Sequence, residues 1–235
     1  LRIDCYLLHN GHASSRQKAQ ELIAMGCVWV NSKPCDKNSL LVAQGDCVEV
    51  VRHKQWVSRA GYKLDGFLKT HAIELEGQRV LDIGSSTGGF SEVLLEYGAR
   101  EITCVDVGSS QLHPTLRGDP RIIVCENQDI RDFVAESFDF VVCDVSFISL
   151  RLLLDKIFSL TSKECLLLFK PQFEVGKNIK RDKKGVIKDL SAVSKALEEF
   201  LQLVRYKGFG VLACEKSLIE GKNGNEEYFI YLSKS

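Results

Sequence analysis

The sequence predicts an α/β protein, a doubly wound and mostly parallel sheet preceded by a small α+β domain. Three observations point there. From residue 79 onward, short apolar runs alternate with helical patterns, as in parallel strands joined by crossover helices. One run, Leu81-Asp82-Ile83, enters the glycine-rich turn Gly84-Ser85-Ser86-Thr87-Gly88-Gly89 and then an apolar helix beginning at Phe90, a strand–turn–helix of Rossmann-like type. Before residue 52 the chain holds only two short helices and a few short strands, too little to bury much apolar area alone.

Taken in order, residues 1–10 read as a helix with Ile3, Leu7 and Leu8 on its inner side, stopped by Gly11. Ser14 and Gln17 have capping-box spacing for a second helix, with Ala19, Leu22, Ile23 and Met25 inward and Gly26 ending it. Residues 27–30 and 46–51 read as strands, with a turn at Asn31-Ser32-Lys33. A basic, aromatic connector follows, carrying Arg52, His53, Lys54, Trp56, Arg59 and Tyr62. Strands are expected at 79–83, 101–107, 121–126, 138–144, 164–170, 208–214 and 227–232, and helices at 89–97, 150–160 and 189–205. The expected organisation is a domain at 1–51, a linker at 52–62 and a domain at 63–235.

Net charge is zero over 235 residues, but it is unevenly shared. Residues 1–63 carry nine basic and five acidic groups, so the front of the chain is positive and the remainder equally negative. A positive lobe suits a polyanion partner. The nine cysteines are scattered, without zinc or thioredoxin spacing, and read as free thiols of a reducing compartment. No apolar run approaches the ~20 residues that span a bilayer, and Leu1-Arg2-Ile3-Asp4 is charged where a signal peptide is apolar. The expectation is a cytoplasmic protein with no membrane partner, acting as a monomer.

The 84–89 turn is the strongest local signal for a ligand. Glycines there let a ligand approach the backbone, and the following helix offers free N–H groups. A dinucleotide fingerprint needs glycine at the third position, which is Ser86 here. Asp82 would repel a pyrophosphate but accept from the ammonium of an amino acid, which favours S-adenosylmethionine over NAD. Gly84, Ser85, Ser86, Gly88, Gly89 and Phe90 are the remaining candidates of this turn. Asp106, ending the next strand, is placed to bond ribose hydroxyls. Asp129, after the third strand, could meet an adenine edge or be a solvated loop acid.

These residues carry a resemblance. Leu1-Arg2-Ile3-Asp4, Ser15-Arg16, Ala19, Leu22-Ile23, Gly26, Val28 and Val30-Asn31 resemble an S4 RNA-binding domain. The rest resembles an FtsJ-type RNA 2′-O-methyltransferase domain. Joined through Val57-Ser58-Arg59-Ala60-Gly61-Tyr62-Lys63-Leu64, the whole resembles the TlyA family, also called haemolysin A. Further matches are Asp144-Val145-Ser146-Phe147-Ile148-Ser149-Leu150, Lys170-Pro171-Gln172-Phe173-Glu174-Val175-Gly176 and Gly224-Asn225-Glu226-Glu227-Tyr228-Phe229.

The resemblance implies a Lys-Asp-Lys-Glu catalytic tetrad on Lys63, Asp144, Lys170 and Glu227. It implies S-adenosylmethionine as cofactor and a cytidine ribose 2′-hydroxyl of ribosomal RNA as substrate. Long members act on both subunits' RNA; this chain lacks their basic N-terminal extension, so it resembles the short type, which acts on 23S RNA. Candidate RNA contacts are Arg2, Arg16, Lys18, Lys33, Arg59, Lys177, Lys180 and Arg181. Residues 177–184 are unusually lysine-rich for the family and read as either a solvated loop or a lid over RNA, with the lid favoured. The family's Asn before an Ile-Arg pair is Asp129 here, a departure at the adenine position.

Three other readings compete. An NAD oxidoreductase would need the glycine that Ser86 replaces. A non-catalytic RNA-binding scaffold would have no use for an intact tetrad. A pore-forming haemolysin would need a membrane segment or a strongly amphipathic stretch.

Overall fold

The computed structural model describes residues 1–24, 26–51, 55–176, 178–221 and 224–234. Met25, Arg52, His53, Lys54 and Lys177, to which the sequence assigned roles, lie outside them. The chain forms two compact units, Leu1–Gln55 and Trp56–Ser235.

The first unit packs α1 (Ile3–His9) and α2 (Arg16–Ala24) on a small antiparallel sheet ordered β2-β1-β3. Its strands are β1 (Val28–Val30), β2 (Lys33–Pro34) and β3 (Val48–Val50). Ile3 and Leu7, four residues apart, share the buried face of α1. Leu8, expected beside them, is 42% exposed, because one residue turns the helix by about 100°. The α2 cap is Ser15 rather than Ser14: its hydroxyl accepts from the Lys18 N–H at 3.2 Å. Asn31 and Ser32 both adopt left-handed φ, 50° and 62°, the geometry of a two-residue hairpin.

The second unit is a seven-stranded sheet ordered β6-β5-β4-β7-β8-β10-β9. The parallel strands are β4 (Arg79–Ile83), β5 (Glu101–Val105), β6 (Ile122–Cys125), β7 (Phe138–Cys143) and β8 (Thr161–Phe169). β9 (Phe209–Lys216) lies beyond β10 (Tyr228–Lys234), which is antiparallel to both its neighbours. Both faces are buried, and period-two alternation assigns them. Val80, Phe140 and Val142 pack with α3 (Arg59–His71) and α4 (Gly89–Glu96). Leu81, Ile83, Val141 and Cys143 pack with α6 (Leu154–Leu160) and α8 (Leu190–Tyr206). Two short helices, α5 (Pro114–Arg117) and α7 (Pro171–Glu174), sit in the loops.

β2, α5 and α7 were not expected, and two further elements differ from expectation. Residues 59–62, read as the end of a linker, form the first turn of α3. The helix expected at 150–160 is instead a 3₁₀ turn, Leu150–Leu152, followed by α6, with the Ser149 hydroxyl accepting from the Arg151 N–H at the start of the turn.

α3 and α4 meet glycine to glycine. A Cβ on Gly61 would lie 2.6 Å from Trp56 Cβ and 3.0 Å from the Gly89 carbonyl. Gly61→Ala is therefore expected to lower the unfolding free energy in urea by about 1–3 kcal/mol through overpacking. Gly66→Ala, whose added methyl meets only the flexible tip of Leu218 at 3.1 Å, should be near neutral.

Candidate active site

Strand order reverses between β4 and β7, and α/β sheets bind ligands outside the carboxyl ends of the strands at such a point. Gly84 follows β4, Asp106 follows β5 and Asp144 follows β7. Gly84 has φ +81°, and a Cβ there would lie 2.6 Å from the Asp144 carbonyl oxygen. No other residue fits that approach.

A cavity of about 370 Å³ opens here. Gly84, Ser86, Asp106, Asp129 and Asp144 contribute its polar wall, and Val107, Ile130, Ile148 and Leu153 an apolar slot. The Asp106 carboxylate accepts from the Ser86 N–H at 2.8 Å and the Gly108 N–H at 2.7 Å, which fixes it at the cavity edge. A carboxylate beside an apolar slot fits a ribose joined to a flat base, so the residues present suit S-adenosylmethionine. Asp129 is held by the Arg131 guanidinium at 2.6 and 3.0 Å, which pulls its carboxyl down to about 2.

The other residues expected at the cofactor do not line this cavity. Asp82 is fully buried and accepts from the Ser91 hydroxyl of α4 at 2.6 Å, so it ties strand to helix. Ser85 is buried as well. Gly88 and Gly89 leave room for protein neighbours, Leu116 and Leu112 at one and Ser58 and Gly61 at the other. Phe90 belongs to the core, with its ring 6.2 Å from that of Phe229.

A second cleft, of about 600 Å³, shares Ser146 and Phe147 with the first. Lys63, Lys170 and Glu227 line it, with Arg181, Lys184 and Asn225. Lys63 Nζ donates to Glu227 Oε2 at 2.6 Å, and both side chains are buried. Lys170 Nζ lies 2.5 Å from Asp144 Oδ1 and donates to Ser146 Oγ at 3.0 Å. The strands bring these groups together. Phe169 of β8 pairs with Tyr228 of β10, so Lys170 and Glu227 flank one end of that ladder. Two buried ion pairs are costly to desolvate and contribute little net stability, which points to function.

The basic candidates divide. Arg181 lines the cleft and donates to the Ile179 and Gln172 carbonyls; Lys180 is exposed nearby. The loop they occupy is pinned by Asn225, whose side chain accepts from Ile187 N–H and donates to the Gly185 carbonyl. Arg59 donates to the Glu220 carbonyl at 2.8 Å. In the first unit, Arg2 and Arg16 both donate to the buried carboxylate of Asp4, at distances of 2.9 to 3.1 Å. Arg2, then Gln20 and Arg16, hold that carboxyl well below the usual carboxylate range against the opposing effect of burial. Lys18 pairs with Glu21 at 2.8 Å, and Lys33 is exposed on β2. Sequence reasoning passed over Asp4, Ser146 and Asn225. Each stands inside a motif block already noted, but nothing in a sequence marks a Ser or an Asn as lining a cleft.

Fold and site together define an S-adenosylmethionine-dependent methyltransferase joined to an RNA-binding module. The FtsJ-like methyltransferase family matches residues 56–234, and the S4 domain family residues 1–48. The 23S rRNA (cytidine-2′-O)-methyltransferase TlyA of Campylobacter jejuni is 53% identical over 181 residues, 77% of this chain and 72% of that one. The 16S/23S rRNA (cytidine-2′-O)-methyltransferase TlyA of Mycobacterium tuberculosis is 38% identical over 98% of this chain and 89% of its own. A solved structure from Streptococcus thermophilus, a hemolysin by name, superposes with a TM-score of 0.73 at 32% identity, covering 100% of this chain and 88% of that one. The chain belongs to the TlyA family of rRNA cytidine-2′-O-methyltransferases.

Burial pushes the Asp82 carboxyl up to about 7, from an ordinary 3.8. Between those values the folded chain keeps a proton that the unfolded chain has lost, so stability falls as pH rises through the window. Asp82→Asn removes that proton exchange. Urea denaturation of the cofactor-free protein at pH 5 and pH 7.5 should show a smaller loss of stability in the variant than in wild type.

Proposed function

We propose that the chain methylates the ribose 2′-hydroxyl of a cytidine in the ribosomal RNA of the large subunit. The observation that carries this reading is the pair of ion pairs, Lys63–Glu227 and Lys170–Asp144, at a cleft adjoining the cofactor cavity. Bound S-adenosylmethionine supplies an electrophilic methyl group. A ribose hydroxyl is a weak nucleophile, so the site must remove its proton as it attacks. Lys170 is the base, and Asp144 holds it at the mouth of the cofactor cavity. Lys63, held by Glu227, contributes positive charge beside the oxygen as charge develops there. Ser86, Gly84, Asp106 and Asp129 hold the cofactor. The greater identity to the 23S enzyme than to the 16S/23S enzyme supports the large-subunit target.

The division of labour follows the chain. Residues 1–51 grip RNA, and the unit from Trp56 onward carries out the chemistry. Arg2 and Arg16 contact phosphates, with Lys18 and Lys33 beside them on the same unit; Arg59, Lys177, Lys180 and Arg181 serve the catalytic unit. Among the described residues no helix is long and apolar enough to cross a membrane.

Single-turnover transfer of labelled methyl to unmodified RNA of each subunit tests the reading. Label is expected in 23S RNA at a cytidine; label in 16S RNA would remove the subunit restriction. Lys170→Arg keeps charge but stays protonated, and should lose at least about a hundredfold in rate. Lys63→Arg should retain more, and cofactor affinity by calorimetry should change little in either. A Lys170→Arg rate within a few-fold of wild type would remove the base assignment.

For the first unit, affinity for ribosomal RNA should fall linearly with salt on a log–log plot as counterions are released. Arg2→Ala with Arg16→Ala should flatten that slope by roughly one unit per lost phosphate contact. An unchanged slope would return both arginines to a structural role on Asp4.

A further inference from the structure

We infer that Ser146 is a positioning residue for methyl transfer, which accepts a hydrogen bond from Lys170 and so limits where its nitrogen lone pair can point. The inference rests on the reading of Lys170 as the base and goes beyond the tetrad.

A lysine acting as a base must be a neutral amine when it takes the proton. That amine carries two N–H bonds and one lone pair around a nitrogen that rotates freely about its last C–N bond. One acceptor constrains one N–H and leaves the lone pair two places to point. Lys170 Nζ donates to one, Ser146 Oγ at 3.0 Å, while Asp144 Oδ1, 2.5 Å away, attracts the nitrogen by charge without accepting a hydrogen bond. Ser146 thereby takes up one of the three directions around the nitrogen, and the lone pair is kept out of it. Ser146 and Phe147 line both the cofactor cavity and the cleft that holds Lys63 and Glu227, so the amine is held where the two spaces meet.

Ser146 can do this because its loop is fixed from both ends. Upstream, the Asp144 N–H donates to the Ile83 carbonyl at 2.9 Å. Downstream, the buried carboxylate of Glu174 accepts from the Ser149 hydroxyl and the Leu150 N–H, each at 2.7 Å. Between them Phe147 holds a left-handed φ of 68°, a conformation that a phenylalanine keeps only where its surroundings impose it. Glu174 belongs to the segment that follows Lys170, so the base and its acceptor are braced against one another.

The step balances as follows. The 2′-O–H bond breaks and its proton passes to the Lys170 lone pair. The oxygen's electron pair forms the bond to the methyl carbon as the carbon–sulfur bond breaks and its electrons stay on sulfur. The resulting ammonium keeps an N–H on Ser146 and its positive charge beside Asp144.

Ser146 is exposed enough for Ser146→Ala to fold, which a thermal melt checks. Single-turnover methyl transfer to 23S RNA by Ser146→Ala should be slower by about 5- to 30-fold, the scale of one hydrogen bond. The Michaelis constant for RNA and the calorimetric affinity for S-adenosylmethionine should stay within about twofold of wild type. Ser146→Thr, which restores the hydroxyl, should recover to within about threefold in rate. The inference is overturned if Ser146→Ala keeps the wild-type rate, if its defect lies in RNA or cofactor affinity, or if Thr is no better than Ala. Lys170→Arg assayed alongside separates the two readings. An inactive Lys170→Arg beside a normal Ser146→Ala removes only the role of Ser146, whereas an active Lys170→Arg removes the base itself.

Discussion

The catalytic unit depends on the near contact between Gly84 and the carbonyl of Asp144. Two parallel strands, β4 and β7, run side by side and then part, and the chain leaving each must pass the other. The separation there leaves no room for a Cβ. Because the passage is so tight, the turn that borders the cofactor cavity and the acid that holds the proposed base are one structural feature. A shift of either moves the other, in a reaction whose rate depends on placing an oxygen, a proton acceptor and a methyl carbon in line.

The antiparallel strand β10 has the second decisive part. In a wholly parallel sheet its first residue would lie at the edge opposite the ligands. Running the other way, it starts where β8 ends, and Glu227 thereby faces the cleft beside Lys170. Lys63 then enters from α3, a helix packed on the sheet through Leu64, Phe67 and Leu68. Four charged groups from four separate parts of the chain meet at one edge. Each lysine is neutralised by an acid, so burial costs less than it would for any of them unpaired.

Much of this was legible in the sequence, and the reasons are local. Runs such as Phe138-Asp139-Phe140-Val141-Val142-Cys143 are apolar enough to read as strands, and their alternation with helical patterns marks a parallel sheet. α3 was not legible, because Gly61 and Gly66 are poor helix formers and its first turn reads as basic linker. Both glycines are explained only by what lies against them, Trp56 and Leu218. The same ambiguity governed the 84–89 turn. A glycine signals that something comes close, but not whether it is a ligand or another part of the protein, and at Gly88 and Gly89 it is protein. Asp82 was read as a ligand contact because an acid at a strand end often is one; whether such a side chain faces the cavity or the helix beneath depends on packing. Lys63 and Glu227 were anonymous until the family resemblance gave them a role, since no short-range pattern links residues 164 apart.

The position of β10 also bears on how such a chain comes to exist. It is made after every other strand of its sheet, yet it lies between β8 and β9. During synthesis β9 has no partner until β10 arrives, and the parallel core ends in an open strand at β8. A growing chain, or one cut short before residue 228, therefore presents the cofactor turn and Lys170 without the strand that supports Glu227. Completion of the sheet and completion of the proposed tetrad are the same event, so a fragment released early would lack the assembled site proposed to modify RNA.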